Sequence, residues 1–139
     1  MEELLRKLNA CDDARIWASG KSWKEIYDTC HRGDWLLWLF RKTNGDKRLL
    51  TLAKGHCANT VRHLMKDERS IKAVDAAIAY GEGIIGDDEL AAAYAAAAAS
   101  ADAAAYAAAA AYASRIKSQL QTADICRQYL PIEVWNINL

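Results

Sequence analysis

The sequence predicts an all-α protein: one helical domain spanning residues 1–139, built as a bundle of about six or seven helices. Three observations lead to this prediction. The 139 residues include only seven glycines and one proline, so little interrupts long helical runs. Helix-starting residues recur along the chain and precede apolar residues at helical spacing. Finally, alanine, which has the highest helix propensity, accounts for 18 of the 24 residues from 91 to 114.

The N-terminal part of the chain contains three predicted helices. Asp12 and Asp13 can begin the first of them. Ser22 and Glu25 match a capping box, in which each side chain accepts a hydrogen bond from the backbone N–H of the other residue. The segment GDWLLWLFRK can start a helix at Asp34. Because this segment is apolar on every side, we expect it to be buried all round.

The central part adds two helices and the start of a third. The dipeptide Asn44-Gly45 marks a turn, and the flanking residues lack the period-two alternation of a hairpin. Residues 46–66 place their apolar side chains near one helical face. The segment SIKAVDAAIAY, residues 70–80, is a further helix closed by glycines. The acidic DDEL at 87–90 opens the alanine-rich helix, where the helix dipole favours acids.

The alanine tract is predicted to be the long packing helix of the bundle. A straight helix from residue 88 to residue 129 would be about 63 Å long, whereas a compact domain of this size is roughly 37 Å across. Ser100 and Asp102 are cap-forming residues in the middle of the run, so we predict a kink near residues 100–102. The larger side chains on one side of the helical wheel are expected to form the core seam: Leu90, Tyr94, Tyr112, Ile116 and Leu120.

Other interpretations of the tract fit less well. Alanine is barely apolar and Asp102 lies in mid-run, which argues against a membrane span. The tract contains no threonine, the residue that alanine-rich ice-binding helices repeat along a flat face. The helix propensity of alanine excludes a flexible tether.

The charge balance and the N-terminus limit the classes of function. The 18 basic and 18 acidic residues cancel, so no overall electrostatic attraction to nucleic acid or to an anionic membrane is expected. The charged N-terminal segment lacks the apolar core of a secretory signal. We therefore expect a cytoplasmic protein with reduced cysteines. The four cysteines are widely spaced and are expected to be buried structural thiols: Cys11, Cys30, Cys57 and Cys126.

Two short motifs resemble functional signatures but are better explained as helix ends and turns. GEGIIG at 81–86 matches the pattern G-x-G-x-x-G. The dinucleotide-binding fingerprint follows a strand, whereas here a helix is predicted to precede it, so we interpret the segment as a helix C-cap and turn. RGD at 32–34 resembles an adhesion peptide, but it is expected to be a loop and a helix N-cap.

Cysteine and histidine residues raise two chemical hypotheses. Cys30-His31 and His56-Cys57, with His63 seven residues after His56, offer zinc-type ligands. Adjacent residues on a helix diverge by about 100°, however, and rarely reach one metal ion. A nucleophilic Cys–His pair needs a lowered thiol pKa and a base within reach, and nothing in the local sequence enforces either. We therefore expect no metal, no cofactor and no enzymatic activity.

Polar residues beside tryptophans form the candidate partner-binding site. The CHRGDW turn and the 46–66 helix, if adjacent, would bring charged and histidine side chains together over a tryptophan-rich base. Tryptophan and arginine anchors dominate the binding energy of protein interfaces, and the same group would suit a phosphorylated ligand. The simpler alternative is that the tryptophans are core residues and the charges are merely solvated. The candidate residues are His31, Arg32, Asp34, Trp35, Arg62, His63 and Lys66.

A series of segments resembles a known family. In order, they are CDDARIWA, CHRGDWLLWL, RLLTLAKGHCANTVRHLM, an alanine–tyrosine tract and ADICRQYLPIEVW. Together they resemble predicted all-α immunity proteins that accompany bacterial polymorphic toxins and also occur in phage genomes. The resemblance covers most of the chain. It implies a small cytoplasmic protein that neutralises an effector by binding it, without catalytic residues.

The leading hypothesis is therefore an immunity-type inhibitor that neutralises a protein toxin or effector by direct stoichiometric binding. The alternative is a phage-type anti-defence protein that binds a host immune effector or sequesters a nucleotide signal. A metal- or thiol-dependent enzyme is a third hypothesis. A nucleotide ligand and a homodimer stay open, whereas no membrane or nucleic-acid partner is expected. Function is expected between residues 30 and 66, with the alanine tract as scaffold.

Overall fold

A computed structural model describes residues 1–98 and 115–137. Over these ranges the chain is all-helical, with no strand, which confirms the predicted fold class. The described part contains eight α-helices and two short 3-10 turns, at Arg62–Leu64 and Ile132–Val134. The helices are α1 (Glu2–Lys7), α2 (Asp12–Ala18), α3 (Trp23–Thr29), α4 (Gly33–Thr43), α5 (Lys47–Asn59), α6 (Glu68–Gly81), α7 (Asp87–Ala98) and α8 (Arg115–Tyr129).

Two of the helices differ from the prediction. The N-terminus forms an additional short helix, α1. This helix is separate from α2 because Asn9, between them, adopts a left-handed conformation with φ of 58°. Asparagine tolerates this conformation better than most residues. The predicted helix over 46–66 is shorter, since α5 ends at Asn59 and a 3-10 turn follows.

Side-chain caps explain where several helices begin. The predicted capping box of α3 is confirmed: the Glu25 N–H donates to the Ser22 hydroxyl at 3.2 Å, and the Ser22 N–H donates to the Glu25 carboxylate at 2.7 Å. At the start of α5, the Asp46 carboxylate accepts from the Leu49 N–H at 3.0 Å. These caps satisfy backbone donors that a helix leaves without an internal partner.

The main hydrophobic core forms where α4 packs against α8 and α5. Gly33, at the start of α4, lies so close to α8 that a Cβ atom there would be 2.5 Å from the Thr122 hydroxyl oxygen. Leu36, Leu39 and Phe40 of α4 are buried. The expectation that α4 is buried all round is wrong, because the side of α4 that carries its tryptophans is only partly covered by the N-terminal helices. Three apolar residues on α4 stay partly exposed: Trp35, Leu37 and Trp38.

A smaller core joins α6 to α7, and α6 also packs along α5. A Cβ atom on Gly81 would overlap the Leu52 side chain, so a glycine is needed where α6 crosses α5. Since α6 runs as far as Gly81, the GEGIIG segment follows a helix, as the C-cap interpretation requires.

The described part of the alanine tract belongs to α7, which begins at Asp87 in agreement with the acidic start. Leu90 is buried, but Tyr94 is 43% and Leu120 47% exposed, so these two residues are not part of a core seam. Among the described elements, the tertiary contacts of α7 are mainly with α6. Tyr112, the Ile116 side chain and the predicted kink at 100–102 lie outside the described residues. None of the described helices has the length and apolar character needed to span a membrane.

Candidate functional site

A cleft of about 510 Å³ opens between the N-terminal helices and the exposed side of α4. Its walls are mostly apolar, and its largest side chains are Trp17, Trp35 and Trp38. Arg32 and Asp34 lie among the lining residues and supply its charged groups. We call this feature the tryptophan cleft. The cleft lies against the side of α4 that carries Trp35 and Trp38, which the sequence predicts to be buried.

Three aromatic rings pack together beside the tryptophan cleft. The ring centroids of Trp17 and Trp35 are 6.0 Å apart, and His31 lies 5.6 Å from each of them with its ring at a steep angle to both. Aromatic pairs prefer such tilted and edge-to-face arrangements at these separations. His31, in the loop before α4, therefore ties α2 to α4.

An ion pair lies at the cleft beside these rings. The Arg32 guanidinium donates to both carboxylate oxygens of Asp34, at 3.0 and 2.6 Å. Its central carbon also lies 4.6 Å from the centroid of the Trp35 ring. The hydrogen bonds to Asp34 raise the pKa of Arg32. The charge of Arg32 is thus compensated within the protein, and its guanidinium plane is held in a fixed orientation.

The backbone that carries His31 and Arg32 is anchored from the distant helix α8. One guanidinium nitrogen of Arg127 donates to the carbonyl oxygens of Tyr27 and Cys30, at 3.1 and 2.9 Å. In return, the Tyr27 hydroxyl donates to the Arg127 and Leu130 carbonyls, at 3.0 and 3.1 Å. These contacts satisfy carbonyls at the C-terminal ends of α3 and α8.

The structure brings together only part of the predicted site. His31, Arg32, Asp34 and Trp35 form one group at the tryptophan cleft. Arg62 instead donates to both carboxylate oxygens of Asp75 on α6, at 2.5 and 3.0 Å.

Arg62 is therefore attached to α6 and not to the tryptophan cleft. His63 and Lys66 are exposed residues in and after the neighbouring 3-10 turn. That all seven predicted residues contribute to partner binding stays a prediction.

Trp17, Trp38 and Arg127 also belong to or support the cleft, and no local sequence pattern singles them out. The unusual density of tryptophan near the N-terminus was the one available signal, with Trp17, Trp23, Trp35 and Trp38 within 22 residues.

The prediction that the four cysteines are buried structural thiols holds for two of them. All four cysteines are free; Cys30 and Cys126 are buried as expected, whereas Cys57 is half-buried and Cys11 is exposed. His56 stacks face to face on Tyr129, with centroids 3.9 Å apart and planes 4° apart. Burial lowers the pKa of His56. Among the described residues, no group of three or more His, Cys, Asp or Glu side chains is placed to hold a metal ion.

Comparison with models of known protein families, with curated proteins and with solved structures yields no match. The chemistry of the tryptophan cleft is therefore the basis for its interpretation. A mostly apolar cavity with a few oriented polar groups is suited to holding a ligand or a side chain. The Arg32–Asp34 pair holds its two partners in fixed positions beside the cleft.

Proposed function

We propose that the protein is an immunity-type inhibitor, which neutralises a toxin or effector protein by stoichiometric binding, and that the tryptophan cleft receives an apolar side chain of that partner. One observation carries the proposal: an apolar cleft of about 510 Å³ is lined by three tryptophans and a pre-oriented arginine. Ligand cavities have volumes of roughly 300–1,000 Å³. Tryptophan and arginine are also the residues enriched at the energetic centres of protein interfaces.

The ion pairs of the candidate arginines favour an apolar protein side chain over a phosphorylated ligand. A bound phosphate is stabilised by cationic groups that lack a competing carboxylate. Arg32 is paired with Asp34, and Arg62 with Asp75. Sequestration of a nucleotide signal consequently has less support from the geometry than protein binding has.

The test uses a variant that fills the cleft without removing any core contact. Ala14 lines the cleft and is half-buried, so Ala14→Leu should occupy space that the partner needs. Ala91 is exposed on α7, and Ala91→Leu is the matched control. Each tagged protein is produced in the cells that naturally make it, captured, and analysed by native mass spectrometry.

The expected result is a second protein at fixed stoichiometry with the wild type and with Ala91→Leu, and its loss with Ala14→Leu. Added mass of a nucleotide would instead favour the sequestration alternative. A partner protein retained equally by both variants would show that binding does not use the tryptophan cleft. A protein recovered without any bound partner would contradict the inhibitor proposal.

A further inference from the structure

Two cysteines from distant parts of the chain meet between α5 and α8. The Cys57 thiol lies 3.8 Å from the Thr122 carbonyl oxygen. Cys126 follows Thr122 by one helical turn, and side chains on a helix lean over the preceding turn. The Cys126 thiol therefore projects toward the same point on α8 and is within hydrogen-bond reach of Cys57. Its sulfur also lies 3.6 Å from the Gly33 carbonyl oxygen.

The two thiols differ in accessibility and in acidity. Cys126 is fully buried, whereas Cys57 is half-buried. The hydrogen bond from Cys126 lowers the pKa of Cys57, and the same contact together with burial raises the pKa of Cys126. An accessible cysteine with a stabilised thiolate beside a second, resolving cysteine is the arrangement found in redox-sensing pairs.

We infer that Cys57 and Cys126 form a reversible intramolecular disulfide when the protein meets a hydroperoxide. The Cys57 sulfur attacks the terminal peroxide oxygen; an S–O bond forms, the O–O bond breaks, and the leaving alkoxide takes the proton of Cys57. The Cys126 sulfur then attacks the Cys57 sulfur, so that the S–S bond forms and hydroxide leaves with the Cys126 proton as water. The two thiols are oxidised, and the hydroperoxide is reduced to an alcohol and water.

The packing of α5 on α8 permits this bond. Ala53 on α5 and Ala123 on α8 are both completely buried, and such small side chains let two helices approach closely. Bond formation brings the two neighbouring sulfurs to a separation of about 2.05 Å. Thiol-reducing systems of a cell would reverse it. The inference does not depend on the proposed inhibitor function.

The experiment uses the full chain carrying Cys11→Ser, because the exposed Cys11 would otherwise form disulfides between molecules. The reduced protein is treated with hydrogen peroxide under native conditions, alkylated, and analysed by intact mass and peptide mapping. The expected result is loss of two free thiols, loss of the mass of two hydrogen atoms, and a peptide linked through Cys57 and Cys126. Dithiothreitol should restore both thiols. Wild-type-like circular dichroism establishes that the Cys11→Ser protein is folded.

Three further variants in this background identify the roles of the thiols. With Cys126→Ser, Cys57 should stop at the sulfenic acid and be labelled by a cyclic 1,3-diketone. With Cys57→Ser, no intramolecular disulfide should form. Cys30→Ser is the matched control, since the buried Cys30 thiol donates to the Arg32 carbonyl at 3.4 Å; it should cross-link as efficiently as the background protein.

Two results would overturn the inference. One is that the background protein keeps all three thiols after peroxide treatment. The other is that Cys126 pairs with Cys30 in preference to Cys57. Because the first result is read from a protein with an intact Cys57–Cys126 pair, an unfolded variant would not obscure it.

Discussion

Replacement of Arg127 by methionine should destabilise the protein strongly, although the side chain lies partly at the surface. Arg127→Met keeps much of the apolar stem of the side chain but removes the guanidinium. That group donates to the carbonyls of Tyr27 and Cys30, at 3.1 and 2.9 Å, and to the Asp124 carboxylate at 2.7 Å. The two carbonyls belong to the end of α3 and to the residue that caps it.

The expected loss of unfolding free energy depends on the charge of the guanidinium and on how exposed each of its contacts is. Hydrogen bonds to a charged group contribute about 1.5–3 kcal/mol each. Both carbonyl contacts use one nitrogen of Arg127, so their contributions are not additive. The Asp124 side chain is 76% exposed, and an exposed pair contributes about 0–1 kcal/mol. We expect Arg127→Met to lower the free energy of unfolding by about 2–4 kcal/mol.

Urea denaturation monitored by circular dichroism measures this loss directly. Arg15→Met is the matched control, because Arg15 forms an ion pair with the highly exposed Asp12 and its replacement should cost about 0–1 kcal/mol. An Arg127→Met protein no less stable than Arg15→Met would refute the argument. It would mean that water replaces the guanidinium at the carbonyls of α3 without loss.

Three other changes test the packing and the caps. Gly33→Ala should lower the free energy of unfolding by about 1–3 kcal/mol, since its Cβ atom would meet backbone and side-chain atoms of α8 within 2.7 Å; unchanged urea denaturation would contradict this. Tyr27→Phe should cost about 1–2 kcal/mol, because the buried hydroxyl donates to two carbonyls of α8; a more stable variant would show that these bonds do not stabilise the fold. Hydrogen bonds from Gly20 and Ser19 lower the pKa of Glu2 below its ordinary 4.5. The contact is therefore fully formed above that pH and is lost as pH falls through the lower folded pKa. The protection of α1 against hydrogen exchange, relative to the intrinsic exchange rate at each pH, should therefore decrease on acidification in the wild type but not in Glu2→Gln.

The structure brings one half of the candidate residues together and leaves the other half on a different element. His31, Arg32, Asp34 and Trp35 are neighbours in the chain, and a single loop and the first turn of α4 bring them together. Joining them to residues 62–66 required a particular packing of α4 against α5. In the structure α4 packs chiefly on α8, and Arg62 pairs with α6.

The error about α4 has a specific physical cause. A segment that is apolar on every side is usually covered on every side. Here, α8 and α5 cover one side of α4, while the short helices α1 and α2 cover Trp35 and Trp38 only in part and leave the tryptophan cleft between them. Hydrophobicity indicates which residues gain from burial, but it does not specify whether the fold supplies a helix to cover them.

The sequence by itself determined that the chain is helical and where several helices begin, because helix hydrogen bonds and caps join residues only a few positions apart. The capping box of Ser22 and Glu25 and the acidic start of α7 are of this kind. Only the tertiary structure decided which helix faces are covered and which thiols meet. The contact of Arg127 with the Cys30 carbonyl spans 97 positions. Such contacts depend on how whole helices pack, and no local pattern encodes that arrangement.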